Sequence, residues 1–558
     1  MTQIADALKA IKNFLNPSAM RRKACLFLLF LFVKTMLFSQ TKKLFFHIPQ
    51  TDKAGNLIPW YSNDLGKAYS HSIGLVWNFW DSMRRDMNGL PYYMNHQVWS
   101  ADVNDHRGMG GDQLSMALSS WRLLYDYTGN ERIKENMCFI ADYYIKHGLS
   151  PENAKWPDIP FPYNTLIYSG IFDGDMKAGK DVTQPDKAGS FGLELVHLYK
   201  IEANNIYLDY AIKIANTLAS HIKNGNADYS PLPFKVNVFT GKIGLLHHND
   251  FSAVSTDTAS YSSNWAPTMQ LFLDLIELKK GNMVGYRQGF VILLDWMKKY
   301  PMKLNKWGPF FEDVDSWSET QINAMTFARF IMEHPKYFPQ WKIDAKNIID
   351  WVHKLFNNDS WKKYGVIVTN EQSVYMVPGE SHTARQGADE LLYESLTGDT
   401  SWYSNAVREL SWSTYTVDFD GKNIFPNDEL WLTDGYGDYV RHYLRAMASF
   451  PELAPGDEDH ILNSSSVLQQ VDYKDKLRNK ISSGPDSLKT NNAILIYRSF
   501  GEQGIEKIKL AIRPRKVWLN NKPLMESSTA EGFEWKPLST GGELIVRRNK
   551  GKEVTIQD

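Results

Sequence analysis

Cysteine is almost missing from this sequence: Cys25 and Cys138 are the two cysteines in 558 residues. We expect Cys25 to leave with an N-terminal signal, which leaves one cysteine and excludes a disulfide framework. An excess of charge of one sign is also missing, because 62 Lys and Arg residues face 63 Asp and Glu residues. A chain with a net charge of −1 has no general attraction for nucleic acid or for an anionic membrane, so we predict neither as a partner.

The N-terminal region has no apolar run long enough to cross a membrane. Residues 24–33 are apolar and follow three basic residues, 21–23. A membrane-spanning helix needs roughly 20 apolar residues, so this shorter run indicates a secretory signal peptide that starts at Met20. We therefore predict that residues 1–40 form a signal segment and that the mature chain is secreted or periplasmic, without stable membrane insertion.

Aromatic residues are plentiful, with 18 Trp and 28 Tyr, and hydrophobic residues make up 43% of the chain. This composition indicates a globular protein, and the length suits one large domain and a small one. Most of the aromatic side chains are expected in the core. Some of them could instead line a sugar-binding cleft, because the apolar faces of sugars stack on aromatic rings.

A pair of amphipathic helices joined by a short Gly-Asn or Gly-Asp turn recurs along the chain. A helix pair that cannot bury its apolar face alone indicates a repeat architecture. An unpaired first helix (63–87) and an unpaired last helix (437–448) could pack together and close a ring of six hairpins. An open solenoid is the alternative. The five hairpins are predicted at 112–147, 190–221, 264–300, 318–356 and 383–413.

The fold class that follows is mainly α, an (α/α)6 toroid of helical hairpins with a small C-terminal antiparallel β domain. We place the barrel at 41–460, a linker at 461–490 and the β domain at 491–558, where short strands alternate with turns. Capping boxes are predicted where Thr383 precedes Gln386 and where Ser318 precedes Gln321.

The loops between hairpins are long, whereas the turns within hairpins are short. In a ring of hairpins the long loops emerge at one end, and long loops in a compact domain are usually functional. A glycosidase needs one carboxyl as acid and one carboxylate as base or nucleophile. We predict Glu380 or Glu312 as the acid and Asp112 or Asp434 as the base. The predicted substrate-binding residues are Arg385, His382, His248, Trp265, Asp175 and Tyr436.

Metal ligands are harder to find. A site built from His96, Asp102 and His106 matches no strong ligand pattern, so we predict no metal and no cofactor.

Two segments begin with Leu-Tyr and end with Thr-Gly-Asn or Thr-Gly-Asp: Leu-Tyr-Asp-Tyr-Thr-Gly-Asn at 124–130 and Leu-Tyr-Glu-Ser-Leu-Thr-Gly-Asp at 392–399. Through these segments the chain resembles the six-hairpin glycosidase superfamily over residues 60–450. It is most similar to secreted bacterial uronic-acid enzymes, the unsaturated glucuronyl hydrolases and the β-glucuronidases with a small C-terminal β domain. The resemblance implies an (α/α)6 barrel with the active site in the loops at one end.

Three functions remain as hypotheses. The first is a secreted glycoside hydrolase that cleaves an oligosaccharide or polysaccharide at uronic-acid residues. The second is a polysaccharide lyase acting by β-elimination, for which Tyr261, His248, Tyr436 and Arg441 could supply the base and neutralise the carboxylate. The third is a glycan-binding protein without catalysis. The sequence makes no prediction of the oligomeric state.

Overall fold

The computed structural model describes residues 47–95, 111–161, 174–175, 179–246, 257–311, 316–423, 436–474 and 493–557. Only the backbone is described for residues 95, 111–113, 175, 436, 437 and 493. Twelve α-helices of eleven or more residues lie in these ranges. They are α1 (Leu65–Asp81), α2 (Gly111–Thr128), α3 (Glu131–His147), α4 (Pro185–Glu202), α5 (Asn205–His221), α6 (Ala266–Glu277), α7 (Met283–Met297), α8 (Gln321–Glu333), α9 (Trp341–Phe356), α10 (Glu380–Thr397), α11 (Tyr403–Ser413) and α12 (Tyr436–Ser449).

The even-numbered helices form an inner ring and the odd-numbered helices an outer one. Each inner helix packs against the next, and α12 packs against α2, which closes the ring. The first helix, α1, packs against α12 and completes the sixth hairpin. Burial separates the two rings: eleven of the thirteen residues of α8 are buried, against five of the sixteen in α9. The predicted mainly α toroid of six hairpins is confirmed.

The repeated Thr-Gly turn ends an inner helix and starts its outer partner. The Thr128 hydroxyl donates to the carbonyl of Leu124 (2.8 Å) and accepts from the amide two residues later. Gly129 has a φ of 61°, a left-handed conformation that glycine adopts without a Cβ penalty. Thr397 and Gly398 repeat the arrangement at the end of α10. The helix pairs are therefore set by local chemistry.

Both predicted capping boxes are wrong. Helix α10 begins at Glu380 after Gly379, so Thr383 lies inside the helix, where its hydroxyl accepts from the amide of Thr369 (3.2 Å). Helix α8 begins at Gln321, and the Ser318 hydroxyl donates to the side chain of Gln372 instead (2.9 Å). In both cases a residue of a neighbouring strand binds the hydroxyl that was expected to cap the helix.

Helix α4 also begins five residues earlier than predicted. Pro185 occupies its first position, where a missing N–H costs nothing because the first amides of a helix have no partner within it.

Short strands lie in the loops between hairpins and before α1. They are β1 (Gln50–Thr51), β2 (Leu57–Ile58), β3 (Gly174–Asp175), β4 (Gly179–Lys180), β5 (Val182–Thr183), β6 (Val236–Asn237), β7 (Asn357–Asn358), β8 (Val368–Gln372) and β9 (Tyr375–Pro378). The last three form an antiparallel sheet that leads into α10.

The C-terminal region forms two antiparallel sheets. One has the order β10-β13-β17-β16 and the other β11-β12-β18-β14-β15. The strands are β10 (His460–Ser464), β11 (Leu468–Tyr473), β12 (Ala493–Ser499), β13 (Gly504–Leu510), β14 (Lys516–Leu519), β15 (Lys522–Pro523), β16 (Gly532–Pro537), β17 (Gly542–Arg548) and β18 (Glu553–Gln557). Strands β10 and β11 occupy the first part of the segment predicted as a linker, because Ile461, Leu468 and Val471 are buried in the shared core.

These sheets pack on the barrel at the ends of the inner helices where the short turns lie. The Tyr473 hydroxyl donates to the carbonyl of Asp126 near the end of α2 (2.8 Å), and the Gln469 amide donates to the carbonyl of Lys200 near the end of α4 (3.0 Å). The opposite end of the ring, where the inner helices start, is left to the long loops.

No helix within the described ranges is long and apolar enough to span a membrane. The predicted signal segment, residues 1–40, lies outside the described residues.

Candidate active site

The inner helices begin at the end of the ring that carries the long loops. Their first turns bring buried polar side chains together: Asp186 and Lys187 on α4, Gln321 and Asn323 on α8, and Glu380 to His382 on α10. The N-terminus of a helix carries partial positive charge and unpaired amides, so such a convergence favours anionic or polar ligands. This end of the ring is the candidate active site.

Glu380 is the first residue of α10 and is 2% exposed. The Ser413 hydroxyl donates to the backbone carbonyl of Glu380 (3.1 Å). Burial is the main cause that raises the pKa of Tyr439; a hydrogen bond from Tyr443 opposes it, and the charge of Glu380 adds to the rise. The dipole at the start of a helix favours the ionised form of an acidic side chain in the first turn. The start of the helix is therefore compatible with a base or nucleophile, and the acid role of Glu380 stays a prediction.

His382 lies two residues further along α10 and is 7% exposed. Neither ring nitrogen has a hydrogen-bond partner among the described residues. Its ring lies 6.0 Å from that of Phe311, measured between centroids. Burial, followed by the charge of Arg385, lowers the pKa of His382 well below its ordinary value. The imidazole is therefore neutral near pH 7 and can accept a proton.

Arg385 was predicted to bind a substrate carboxylate, but its guanidinium already pairs with Asp438 of α12. Asp438 also forms an ion pair with Arg441 and accepts a hydrogen bond from Ser381. Burial, followed by the charge of Arg441, lowers the pKa of Arg385 well below its ordinary value. The role of Arg385 in this structure is to join α10 to α12.

Gln321 links this network to α8. Its side-chain amide donates to the carbonyl of His382 and to the side chain of Gln386 (both 3.2 Å), and its oxygen accepts from Arg385 (3.0 Å). All four side chains are buried. The backbone of His382 is therefore held by two neighbouring inner helices.

A second polar group lies at the start of α4. Asp186 accepts from the Ser262 hydroxyl (2.8 Å), and the Lys187 ammonium donates to the carbonyl of Phe310 (2.7 Å) while lying 3.5 Å from the Asp186 carboxylate. Both charged residues are almost fully buried. Phe310 belongs to the loop that also carries Phe311, so this group and His382 are connected through residues 310–311.

Trp265 does not present its ring to a substrate. It is 0% exposed, and its indole N–H donates to the carbonyl of Ser262 (2.6 Å). Tyr261, a candidate base for the lyase hypothesis, is likewise buried and donates to the carbonyl of Lys306. Both aromatic residues fill the core because the segment before α6 turns inward. Arg441 is the other described residue of the lyase hypothesis, and it pairs with Asp438.

Several predicted residues lie outside the described part of the chain. These are Glu312, Asp434, His248, the side chains of Asp112, Asp175 and Tyr436, and the metal candidates His96, Asp102 and His106. Their roles stay predictions. Among the residues that are described, no group of three or more His, Cys, Asp or Glu side chains could hold a metal ion.

The sequence did not predict Asp438, Gln321 or Lys187 as residues of the site. For Asp438 a signal was available, since Arg441 and His442 follow at i+3 and i+4 on the same face of α12. Gln321 and Lys187 gave no local signal, because their partners come from other hairpins.

No protein-family model matches the sequence, and no curated protein sequence does so either. Solved structures do match. A cellobiose 2-epimerase from Spirochaeta thermophila aligns with a TM-score of 0.52 at 12% identity, covering 69% of this chain and 97% of that one. A D-mannose isomerase aligns with a TM-score of 0.50 at 12% identity, covering 70% of this chain and 99% of that one. A cellobiose 2-epimerase from Bacillus thermoamylovorans has a TM-score of 0.50 at 12% identity over 68% and 98%. At this identity the likeness shows a shared fold, and this chain has the toroid of helical hairpins found in these proteins.

Proposed function

We propose that this chain is a secreted carbohydrate-active enzyme whose saccharide binds where the inner helices begin. The fold supports this, because structures that share it include enzymes named for acting on cellobiose and mannose. The converging buried polar side chains at that end support it independently, because enzymes place such groups where substrate binds.

The reaction we propose first is hydrolysis of a glycosidic bond at a uronic-acid residue, with Glu380 as the ionised carboxylate. The observation that carries it is the position of Glu380, which is buried at the first turn of α10 at the candidate active site. A carboxylate there can activate water or attack the anomeric carbon. A second carboxyl must then protonate the leaving oxygen. Glu312, which the sequence predicts as an acid, is our candidate for that group.

Positive charge beneath the site supports an anionic sugar. Arg385 and Arg441 share the single carboxylate of Asp438, so guanidinium charge exceeds carboxylate charge there. Arg385 lies about one helical turn beyond His382. A surplus of positive charge at the floor of a site favours binding of a negatively charged substrate over a neutral one.

The test is a product assay of the purified protein against a panel of uronate-containing oligosaccharides. Glu380→Gln should lower kcat/KM by about 10²–10⁴-fold, the usual contribution of a positioned acid–base group. The matched control is Glu394→Gln, a buried glutamate near the other end of the same helix. That variant should keep its activity. Full activity in Glu380→Gln would remove this assignment, and binding without any product would favour a glycan-binding protein.

A second reaction, β-elimination at a uronate, is favoured by His382. A neutral imidazole without a hydrogen-bond partner among the described residues can take the proton next to the uronate carboxylate. The C4–O bond then breaks, a C4–C5 double bond forms, and the leaving oxygen takes up a proton. This route needs no acid–base pair of carboxylates.

Ultraviolet absorbance separates the two reactions. Elimination produces a conjugated uronate and raises the absorbance during digestion, whereas hydrolysis leaves it flat. His382→Asn should abolish an absorbance rise if His382 is the base. A rise that persists in His382→Asn would exclude that role.

A further inference from the structure

A layer of charged side chains crosses the inside of the barrel below the candidate active site. Most of its cations pair with a carboxylate. Arg122 lies 3.5 Å from Glu194, Lys200 donates to Asp274 (2.7 Å), and Arg329 donates to Asp389 (2.7 Å). These pairs link α2, α4, α6, α8 and α10 around the inner ring.

Arg445 of α12 is the exception. It lies on the same helical face as Asp438 and Arg441, at i+7 and i+4. No carboxylate lies within ion-pair distance of its guanidinium among the described residues, and Asp438 is already shared by Arg385 and Arg441. Four guanidiniums on α8, α10 and α12, those of Arg329, Arg385, Arg441 and Arg445, thus share the buried carboxylates Asp389 and Asp438 and the half-exposed Glu333. The other buried carboxylates of α10 have other positions: Glu380 is its first residue, Glu390 lies 2.9 Å from the ring of His353, and Glu394 accepts from the amide of Trp402.

Unused donors lie in the same sector. Nη2 of Arg329 and Nε of Arg441 have no acceptor among the described residues, and Arg329 is 9% exposed. Burial, followed by the charges of Arg329 and Arg441, lowers the pKa of Arg445 well below its ordinary value. Arginine does not deprotonate in proteins, so this repulsion needs a compensating negative charge.

We propose that a small inorganic oxyanion, sulfate or phosphate, binds inside the barrel between Arg445, Arg441 and Arg329. Guanidinium groups match the oxygens of such anions with paired N–H donors. The anion site lies deeper in the barrel than the candidate active site, because Arg445 is seven residues beyond Asp438 along α12, roughly 10 Å at the helical rise. Arg441 lies between the two sites, since its guanidinium also pairs with Asp438. The anion would complete the charge balance of the inner ring, and its binding does not depend on the proposed reaction.

The experiment compares the thermal unfolding of the wild-type protein with that of Arg445→Met in an anion-poor buffer, with sulfate, phosphate or chloride added at matched ionic strength. Methionine fills the space of the arginine stem without its charge. We expect sulfate or phosphate to raise Tm of the wild type in a saturable way, and to raise Tm of Arg445→Met no more than chloride does. Sulfate affinity measured by calorimetry should fall roughly tenfold to a hundredfold in the variant, the loss expected for one charge-assisted contact.

A second variant guards against misfolding. Arg445→Lys keeps the charge but loses the planar fork, so it should fold as the wild type does and bind sulfate more weakly. Equal responses to sulfate, phosphate and chloride in the wild type would overturn the proposal and leave water as the partner of these donors. A saturable response to chloride alone would also overturn it. Anomalous scattering from selenate-soaked crystals, with a peak within hydrogen-bond distance of Arg445, is the direct confirmation.

Discussion

Arg385 and Asp438 form an ion pair between two neighbouring inner helices, α10 and α12. The pair is almost fully buried, and the same carboxylate pairs with Arg441 and lies 3.3 Å from the His442 ring. Arg441 in turn donates to the Ser119 hydroxyl on α2 (2.8 Å). One carboxylate therefore fixes three inner helices at the turn below the candidate active site.

Removing that carboxylate should destabilise the protein strongly. Asp438→Asn leaves the buried Arg385 and the largely buried Arg441 without their counter-charge, and breaking a buried pair in this way costs about 3–5 kcal/mol. The measurement is the free energy of unfolding from denaturant titration. The control is Asp350→Asn, which removes the partner of Lys346 in a solvent-exposed pair at 3.4 Å and should cost less than about 1 kcal/mol. Similar losses for the two variants would contradict a central role for Asp438.

If His382 is the catalytic base, the pH dependence of the reaction should reflect its lowered pKa. A base works only when it is deprotonated, so kcat/KM should fall only as the pH drops through a value well below 6.5. The pH–rate profile of the wild type checks this. The residual activity of His382→Asn should lack that acid limb. An acid limb at or above 6.5 would assign the titration to another group.

Glu409 should make the protein less stable at higher pH. Burial, followed by the charge of Glu390, raises the pKa of Glu409 well above its ordinary value. The folded state then holds a proton that the unfolded chain loses near its pKa of about 4.3, so stability declines as the pH rises from there towards the folded pKa. Glu409→Gln keeps a neutral side chain and should flatten the decline between pH 5 and 8.

Unfolding free energies at several pH values provide the measurement for Glu409. Glu135→Gln, at an exposed position on α3, is the control and should leave the slope unchanged. An unchanged slope in Glu409→Gln would show that Glu409 is ionised in the folded protein.

Two glycines on α1 should respond in opposite directions to alanine. A Cβ on Gly66 would lie 2.4 Å from the carbonyl carbon of Ala454, where α1 meets the segment after α12. Gly66→Ala should therefore cost about 1–3 kcal/mol through overpacking. Nothing lies within 4 Å of a Cβ on Gly74, so Gly74→Ala should stabilise the helix by about 0.5–1 kcal/mol. Denaturant unfolding of both variants measures the difference, and equal effects would contradict the close contact at Ala454.

The helix pairs could be predicted from the sequence because their signals are local. A period of 3.6 residues marks each helix, and Gly129 and Gly398 mark turns that only a left-handed residue can make. Helix starts were less predictable. Thr383 has the spacing of a cap, but its hydroxyl bonds to a strand of the preceding loop, which no local pattern indicates.

The candidate site also has a part that local sequence predicts and a part that it does not. Three predicted residues, Glu380, His382 and Arg385, lie together because they occupy adjacent turns of one helix. Trp265 is of a residue type that stacks on sugars, yet its ring is buried because the chain before α6 turns inward. Whether an aromatic ring faces a cleft or the core depends on the path of the backbone around it.

The sequence by itself determined the ring of helical hairpins, because each hairpin has an apolar face and a turn encoded within some 35 residues of chain. Only the tertiary structure decided what the charged residues do. Arg385 and Asp438 are 53 positions apart and meet because α10 and α12 are neighbours in the closed ring. That meeting gives Arg385, a predicted substrate ligand, a structural partner. It leaves Arg445 as the guanidinium of the inner helices that has no carboxylate partner among the described residues.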